Sequence, residues 1–327
     1  MSKKIIGLAV GAMLLALSFT AGAQQPKKVY RIGFLCPLFK PGGPALTALR
    51  QGMRELGYVD GQNVAFEVRF AEEKRERLPS LAAELVRLKV DALVPMGPAA
   101  TRAATGATRA IPIVTPGAAD PVGTGLVASL ARPGGNITGM SSLMAELAGK
   151  RLELFQEIVP RLVRLGVFWD PDEPEEVAEW REIQLAARKL GIQVQSLDVP
   201  GFADMEKAFT ALGRARVDAL MNLGWIDSSF YRAKRIVKYA ETHRLPTMYG
   251  RPTSVVAGGL VSYGPNYEEL HRRAATFVDK ILKGVKPADL PVEQPTKFEL
   301  IINLKAAKQI GLTIPANVLA RADKVIK

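Results

Sequence analysis

The sequence predicts an α/β protein built as two doubly wound parallel-sheet lobes. Three observations carry that expectation. Short apolar, β-branched runs alternate with amphipathic stretches; those stretches repeat a 3, 4, 3 spacing of large apolar residues; and the order of elements starts again after a turn-rich bend ending at Gly139. With 327 residues, 48% of them hydrophobic, the chain exceeds what one core usually holds, so two lobes are expected.

The first 23 residues stand apart. Lys3 and Lys4 precede an apolar run from Ile5 to Phe19, and Ala21-Gly22-Ala23 forms a small-residue cleavage site before Gln24. Residues 1–23 therefore read as a signal peptide, too short for a membrane span, and the chain is expected in the periplasm.

After it, Val29 to Leu35 reads as a strand. Leu46, Leu49, Met53 and Leu56 then mark one face of a helix lying on a sheet. Val64 to Phe70 is the next strand, and Leu78, Leu81, Leu85 and Leu88 repeat the helical stripe. Ala92 to Met96 is a third strand, stopped at Gly97-Pro98, with Pro98 suited to open the helix that runs to Ala110. Ile111 to Val114 closes this set and ends at Thr115-Pro116-Gly117. A loop with Asp120-Pro121 follows, then a predicted short helical turn from Gly125 to Ala131. Pro133-Gly134-Gly135-Asn136 then fixes a rigid bend before Ile137-Thr138-Gly139 resumes an extended path.

The same pattern begins again beyond Gly139. A helix from Leu143 to Val159 leads to the strand Leu165 to Trp169 and to a helix with Trp180, Ile183, Ala187 and Leu190 at the 3, 4, 3 spacing. Ile192 to Leu197, Ala219 to Leu223 and Pro246 to Tyr249 are the later strands, separated by helices near Asp204 to Leu212 and Ser228 to His243. Leu260 to Tyr263 is a further strand, and Asn266-Tyr267-Glu268-Glu269 has the form of an N-cap with an acidic third helical residue. Leu270, Ala274, Phe277 and Ile281 continue that helix to Gly284. Pro287 to Pro295 reads as an extended strap between lobes, Phe298 to Ile302 as a last strand, and 303–310 and 316–326 as short helical pieces.

The runs DPVGTGLVASLARPGGNITG, KRLELFQEIVP and the long block from Gly258 to Pro315 resemble the ABC transporter substrate-binding protein family that includes the bacterial tryptophan and tyrosine binders. The similarity spans essentially the whole chain after the leader. It implies the type I periplasmic binding fold, with three chain crossings as a hinge. The lobes would be 24–140 plus 264–288 and 141–263 plus 289–327. It also implies a monomer that captures a small solute, an amino acid or a relative of one, aromatic ones included, for an inner-membrane permease, without catalysis. Three loops depart from the family pattern: Cys36 stands where serine is frequent, Asp170-Pro171 where Asn-Pro is, and Arg251-Pro252-Thr253-Ser254 where acidic and aromatic residues are.

In open parallel sheets ligands sit beyond the carboxyl ends of the strands, so two facing lobes would share one cleft. The candidate lining is Cys36, Pro37, Leu38 and Phe39; Gly97, Pro98 and Ala99; Thr115 and Asp120; and, from the second lobe, Asp170, Trp225, Phe230, Tyr249 and Tyr263. The amides after Gly97 suit a carboxylate, Asp120 or Asp170 an ammonium, and the aromatics an apolar group. Asp120 can equally cap the turn that follows, Tyr263 can pack at the hinge, and Trp169 and Trp180 fit buried core positions.

Other classes fit less well. The charge of +12 raises nucleic acid, but the basic residues are scattered over helix faces without a block or interleaved aromatics, so none is expected. His243 and His271, the two histidines, have neither metal-ligand nor triad spacing, and no cofactor or metal is expected. GxSxG, HExxH, a Walker loop and GxGxxG after a strand are absent, which disfavours a Rossmann-like enzyme, the main rival class. A periplasmic protein feeding a receptor is the alternative within the same fold. Cys36, the single cysteine, reads as packing rather than as a reactive thiol.

Overall fold

The computed structural model describes residues 28–38, 43–200, 205–224 and 230–327. The expected signal peptide, Phe39 and Trp225 lie outside them.

Two sheets form. The first has the order β2-β1-β3-β4-β5, all parallel, from β1 (Tyr30–Cys36), β2 (Val64–Phe70), β3 (Ala92–Pro95), β4 (Ile113–Ala118) and β5 (Ile137–Ser141). Its helices are α1 (Pro44–Glu55), α2 (Leu78–Arg87) and α3 (Gly97–Ala107). Alternation along β1 sends Ile32 and Phe34 to one face, where Leu49 and Met53 of α1 cover them, and Leu35 to the other, under Leu81 and Leu85 of α2. Burial on both faces explains why these strands read as unbroken apolar runs.

The second sheet has the order β12-β11-β10-β9-β8-β6-β7. Its strands are β6 (Arg164–Trp169), β7 (Gln193–Asp198), β8 (Ala219–Asn222), β9 (Thr247–Tyr249), β10 (Val261–Pro265), β11 (Phe298–Asn303) and β12 (Lys324–Ile326). The helices α4 (Met144–Ile158) and α5 (Pro174–Leu190) cover one face through Leu152, Phe155, Ile183 and Ala187. On the other face α6 (Met205–Ala215) and α7 (Phe230–Thr242) pack through Ala208, Leu212 and Ile236. The pairing is parallel except at β10–β11, which is antiparallel because the chain returns to this sheet from the first lobe.

That return is one of three crossings between the lobes. The chain crosses between sheets after β5, after β10 and before β11. Between the last two crossings it forms α9 (Tyr267–Leu282), whose Leu270, Ala274 and Phe277 join the core of the first lobe; α8 (Pro252–Val256) is a short helix before β10. Asn266 caps α9 by accepting from Glu269 N at 2.9 Å. The strap then lies along β5, with Glu293 N donating to Gly139 O and Ser141 N to Glu293 O. Gly139 itself has φ +129, and a Cβ there would stand 2.2 Å from Thr115 O, so only glycine lets β5 approach β4 at the first crossing.

Two expectations are corrected. Residues 125–131 form turns and bends instead of a helical turn: Thr124 Oγ1 and N close back on Asp120 O, and Val127 N donates to Pro121 O, six residues behind. The segment 316–326 is helical only in α11 (Ala316–Leu319), after α10 (Leu304–Ile310), and ends as β12, because Asp323 exchanges hydrogen bonds with the backbone of Leu300 and seats Lys324–Ile326 beside β11.

Candidate functional site

The carboxyl ends of the two sheets face each other, and charged side chains bridge the gap. A 3-10 turn after β2 (Arg75–Arg77) presents Arg75, which donates to Asp170 Oδ2 at 3.2 Å and also pairs with Glu173. From α3, Arg102 grips Glu173 with both terminal nitrogens, its Nη2 at 2.9 Å from Oε1. In the opposite sense, Arg232 on α7 reaches Glu73 at 3.1 Å. The carboxylates of Asp170 and Glu173 are buried while the arginines keep part of their surface in water.

Behind this row lies a second, drier one. Pro174 opens α5, and Glu175 and Glu176 fill its first turn, where the free helix amides favour negative charge. Glu176 accepts from Asp170 N at 2.7 Å. Glu179, one turn on, accepts from Arg151 Nη2 at 2.8 Å, and both members of that pair are fully buried. Arg251 donates from Nε to Gly224 O at 3.1 Å and lays its guanidinium 3.8 Å from the centre of the Tyr267 ring. Gly224 has φ +56, and a Cβ there would collide with the Glu176 carboxyl, so β8 can end against α5 only through glycine.

Glu175 crosses the cleft. Its Oε2 accepts from the Ala119 amide just beyond β4, at 3.2 Å. Burial pushes its carboxyl up to about 7, opposed by the Ala119 amide and by the more distant Arg102 and Arg251. His271 of α9, its Nδ1 2.7 Å from Tyr267 O, is shifted the other way, down to about 4, again by burial. Their effects on stability oppose each other. Glu175 holds its proton more tightly when folded, so stability falls as pH rises from about 4.5 to about 7. His271 holds its proton less tightly when folded, so stability rises from about 4 to about 6.5. Where the windows overlap the two largely cancel. Melting temperatures of Glu175→Gln, measured from pH 4.5 to 6.5, are expected to climb more steeply with pH than those of the unaltered protein. Parallel curves would mean that Glu175 does not titrate in this window.

The candidate lining residues have separate fates. Cys36 is buried with Sγ 3.6 Å from Met96 Sδ, and burial raises its thiol to about 11. Pro37 and Leu38 accept from the amides of Glu73 and Glu72, which ties the loop after β1 to the bridging row. Gly97 and Pro98 open α3 at the strand ends, whereas Ala99 packs against the core of the first lobe. Thr115 turns its hydroxyl to the carbonyls of Thr138 and Met140. Asp120 caps its own turn, accepting from Gly123 N at 2.8 Å, and Asp170 is held by Arg75. Tyr249 is buried in the second lobe's core beside Phe168, and Tyr263 packs toward Phe298 on the crossing strand. Phe230 is half exposed with Lys234 over its ring. Trp169 stacks on Trp180 at 5.1 Å, a core pair. Sequence reasoning missed Arg75, Arg102, Arg151, Glu175 and Glu179. Their signal was the acid-rich run DPDEPEE and a lone arginine in the small-residue segment around Thr101.

The profile of the family described as ABC transporter substrate binding protein matches residues 43–326. The chain belongs to that family. Among curated relatives it is 27% identical, over 95% of its own length and 93% of the other's, to a tyrosine-binding protein of Clostridioides difficile (strain R20291). Two solved structures superpose closely. A conserved domain protein of Vibrio cholerae has a TM-score of 0.84 at 31% identity, and an ABC domain from Streptococcus pneumonia, in complex with L-Trp, 0.83 at 27%. Each comparison covers 91% of this chain and 100% of the other. The family member therefore has the type I periplasmic binding fold, and it is a substrate-binding protein and not an enzyme. No helix among the described residues is long and apolar enough to cross a membrane.

Proposed function

We propose that this family member is the periplasmic solute-capturing component of an ABC importer, closing its two lobes over an amino acid or a related small molecule and presenting the closed form to a permease. The observation that carries the reading is the bridging of the two strand-end faces by Arg75, Arg102 and Arg232 with Asp170, Glu173 and Glu73. Ion pairs that join separate lobes at a cleft are what a closed state needs and an open state would lose. The tyrosine-binding relative and the L-Trp complex support a solute of amino-acid size. The leader supports export, and the crossings after β5, after β10 and before β11 support lobes close to 24–140 plus 264–288 and 141–263 plus 289–327, with Leu290 and Val292 still packing in the first lobe's core. The residues we propose to meet the solute are Cys36 to Leu38, the α3 amides at Gly97, and Glu175, Arg251 and Tyr267.

A thermal-shift screen of the purified protein against the proteinogenic amino acids, their decarboxylated amines and small carboxylates tests this. One chemical class is expected to stabilise the fold, by about 2.7 kcal/mol at a hundredfold excess over its dissociation constant. Silence across every class would remove the proposal.

A further inference from the structure

Resting on the cleft being the solute site, we propose that the solute is an organic amine without a carboxylate, its ammonium seated against Glu175. Four observations lead there.

The first is that the place for a solute acid is taken. The amide beyond the carboxyl end of β4, the position where an open parallel sheet meets an anionic ligand, already donates to a carboxylate of this chain, Ala119 N to Glu175 Oε2 at 3.2 Å. The second is that the cleft's cations are engaged within the protein. Arg102 holds Glu173, Arg75 holds Asp170 and Glu173, Arg151 holds Glu179 and the Met144 carbonyl, and Arg251 is bound to Gly224 O and stacked on Tyr267. A carboxylate entering here would displace an existing ion pair or lie beside Glu175, Glu176 and Glu179 without a counter-charge, and burying an uncompensated charge is costly.

The third is the charge balance. Five buried carboxylates, Asp170, Glu173, Glu175, Glu176 and Glu179, meet four guanidiniums, Arg75, Arg102, Arg151 and Arg251. Glu175 is reached directly by a neutral amide and by no guanidinium, and an ammonium beside it would favour its ionised form over the protonated form that burial favours, completing the set. Fourth, the polar atoms around the Ala119 amide suit a donor. The Tyr267 hydroxyl and Ser142 Oγ are buried and reach each other but no further hydrogen-bond partner, and Ser142 N is bonded to Ala118 O at 2.8 Å, which sets that hydroxyl next to the same β4 terminus. An ammonium carries three donors; Glu175, Tyr267 and Ser142 supply three acceptors.

Titration calorimetry with matched pairs decides the matter: L-tyrosine and tyramine, L-tryptophan and tryptamine, L-arginine and agmatine, L-lysine and cadaverine. In at least one pair the amine is expected to bind about tenfold or more tightly than its parent amino acid, and Glu175→Gln to weaken that amine by about tenfold or more. The parent amino acid, freed of repulsion from Glu175, should keep or gain affinity in the variant. If an amino acid binds more tightly than its amine, or if Glu175→Gln leaves the amine's affinity unchanged, the inference fails while the cleft reading stands. If no compound of any pair gives a binding heat, both fall. The pair comparison uses the unaltered protein, so it holds even where the variant folds poorly.

Discussion

Replacing Arg151 by alanine is expected to destabilise the protein by about 3–5 kcal/mol in equilibrium unfolding by denaturant. Arg151 is fully buried and joins α4 to α5: Nη2 donates to Glu179 Oε2 at 2.8 Å and to Met144 O at 3.0 Å. Burial raises the Glu179 carboxyl above its ordinary value, and the Arg151 charge is the largest influence opposing it. Removing the guanidinium leaves that carboxylate with Gly224 N at 3.5 Å as its remaining direct hydrogen bond and opens a side-chain-sized void between the helices. The pair is worth much less than its rupture costs, because both ions were taken out of water to make it. Arg151→Met combined with Glu179→Leu should accordingly recover most of the lost stability. A single-variant loss below about 1 kcal/mol would show that the pair is not desolvated as described.

Reversing the charges of Arg75 and Arg102 together is expected to open the molecule. The two residues meet Asp170 and Glu173, whose carboxylates are almost wholly buried at the lobe junction. Hydrogen bonds between charged groups contribute about 1.5–3 kcal/mol each, and the Arg102–Glu173 contact is bidentate. Both arginines are partly exposed, which screens the gain, so about 3 kcal/mol for the pair is a fair magnitude. That corresponds to about a hundredfold shift from closed toward open. The double variant should show a larger radius of gyration in small-angle scattering and weaker solute binding, with unfolding of the separate lobes little changed. Adding Glu173→Arg should restore part of the compact form. An unchanged radius would mean that the cleft is held by other contacts.

Much of the fold could be read directly from the chain. Strand–helix alternation, the apolar spacing of Leu46 to Leu56 and of Leu270 to Ile281, and the Asn266 cap are local signals, fixed by the periods of the two secondary structures. The turn at residues 125–131 and the strand at 324–326 were misread, because each depends on hydrogen bonds to distant or oddly spaced partners: Val127 to Pro121, Asp323 to Leu300. At the site, proximity to a strand's end was legible and side-chain direction was not. Tyr249 is two residues before Arg251 of the cleft and points into the core; Asp120 lies at the right loop and spends its carboxylate on its own turn.

The sequence by itself determined the two-lobed α/β architecture, which follows from the periodicity and the repeated order of elements, and it carried the resemblance to the family in runs such as DPVGTGLVASLARPGGNITG. Tertiary structure alone decided which charges meet. Arg75 and Asp170 are 95 residues apart and Arg232 and Glu73 are 159 apart, and nothing periodic distinguishes any of them from a solvated surface charge. Whether a glutamate in a helix's first turn faces water or a buried amide depends on what the other lobe brings to it. For Glu175 that is the Ala119 amide at the end of β4, and desolvation there holds its carboxyl well above the ordinary carboxylate range.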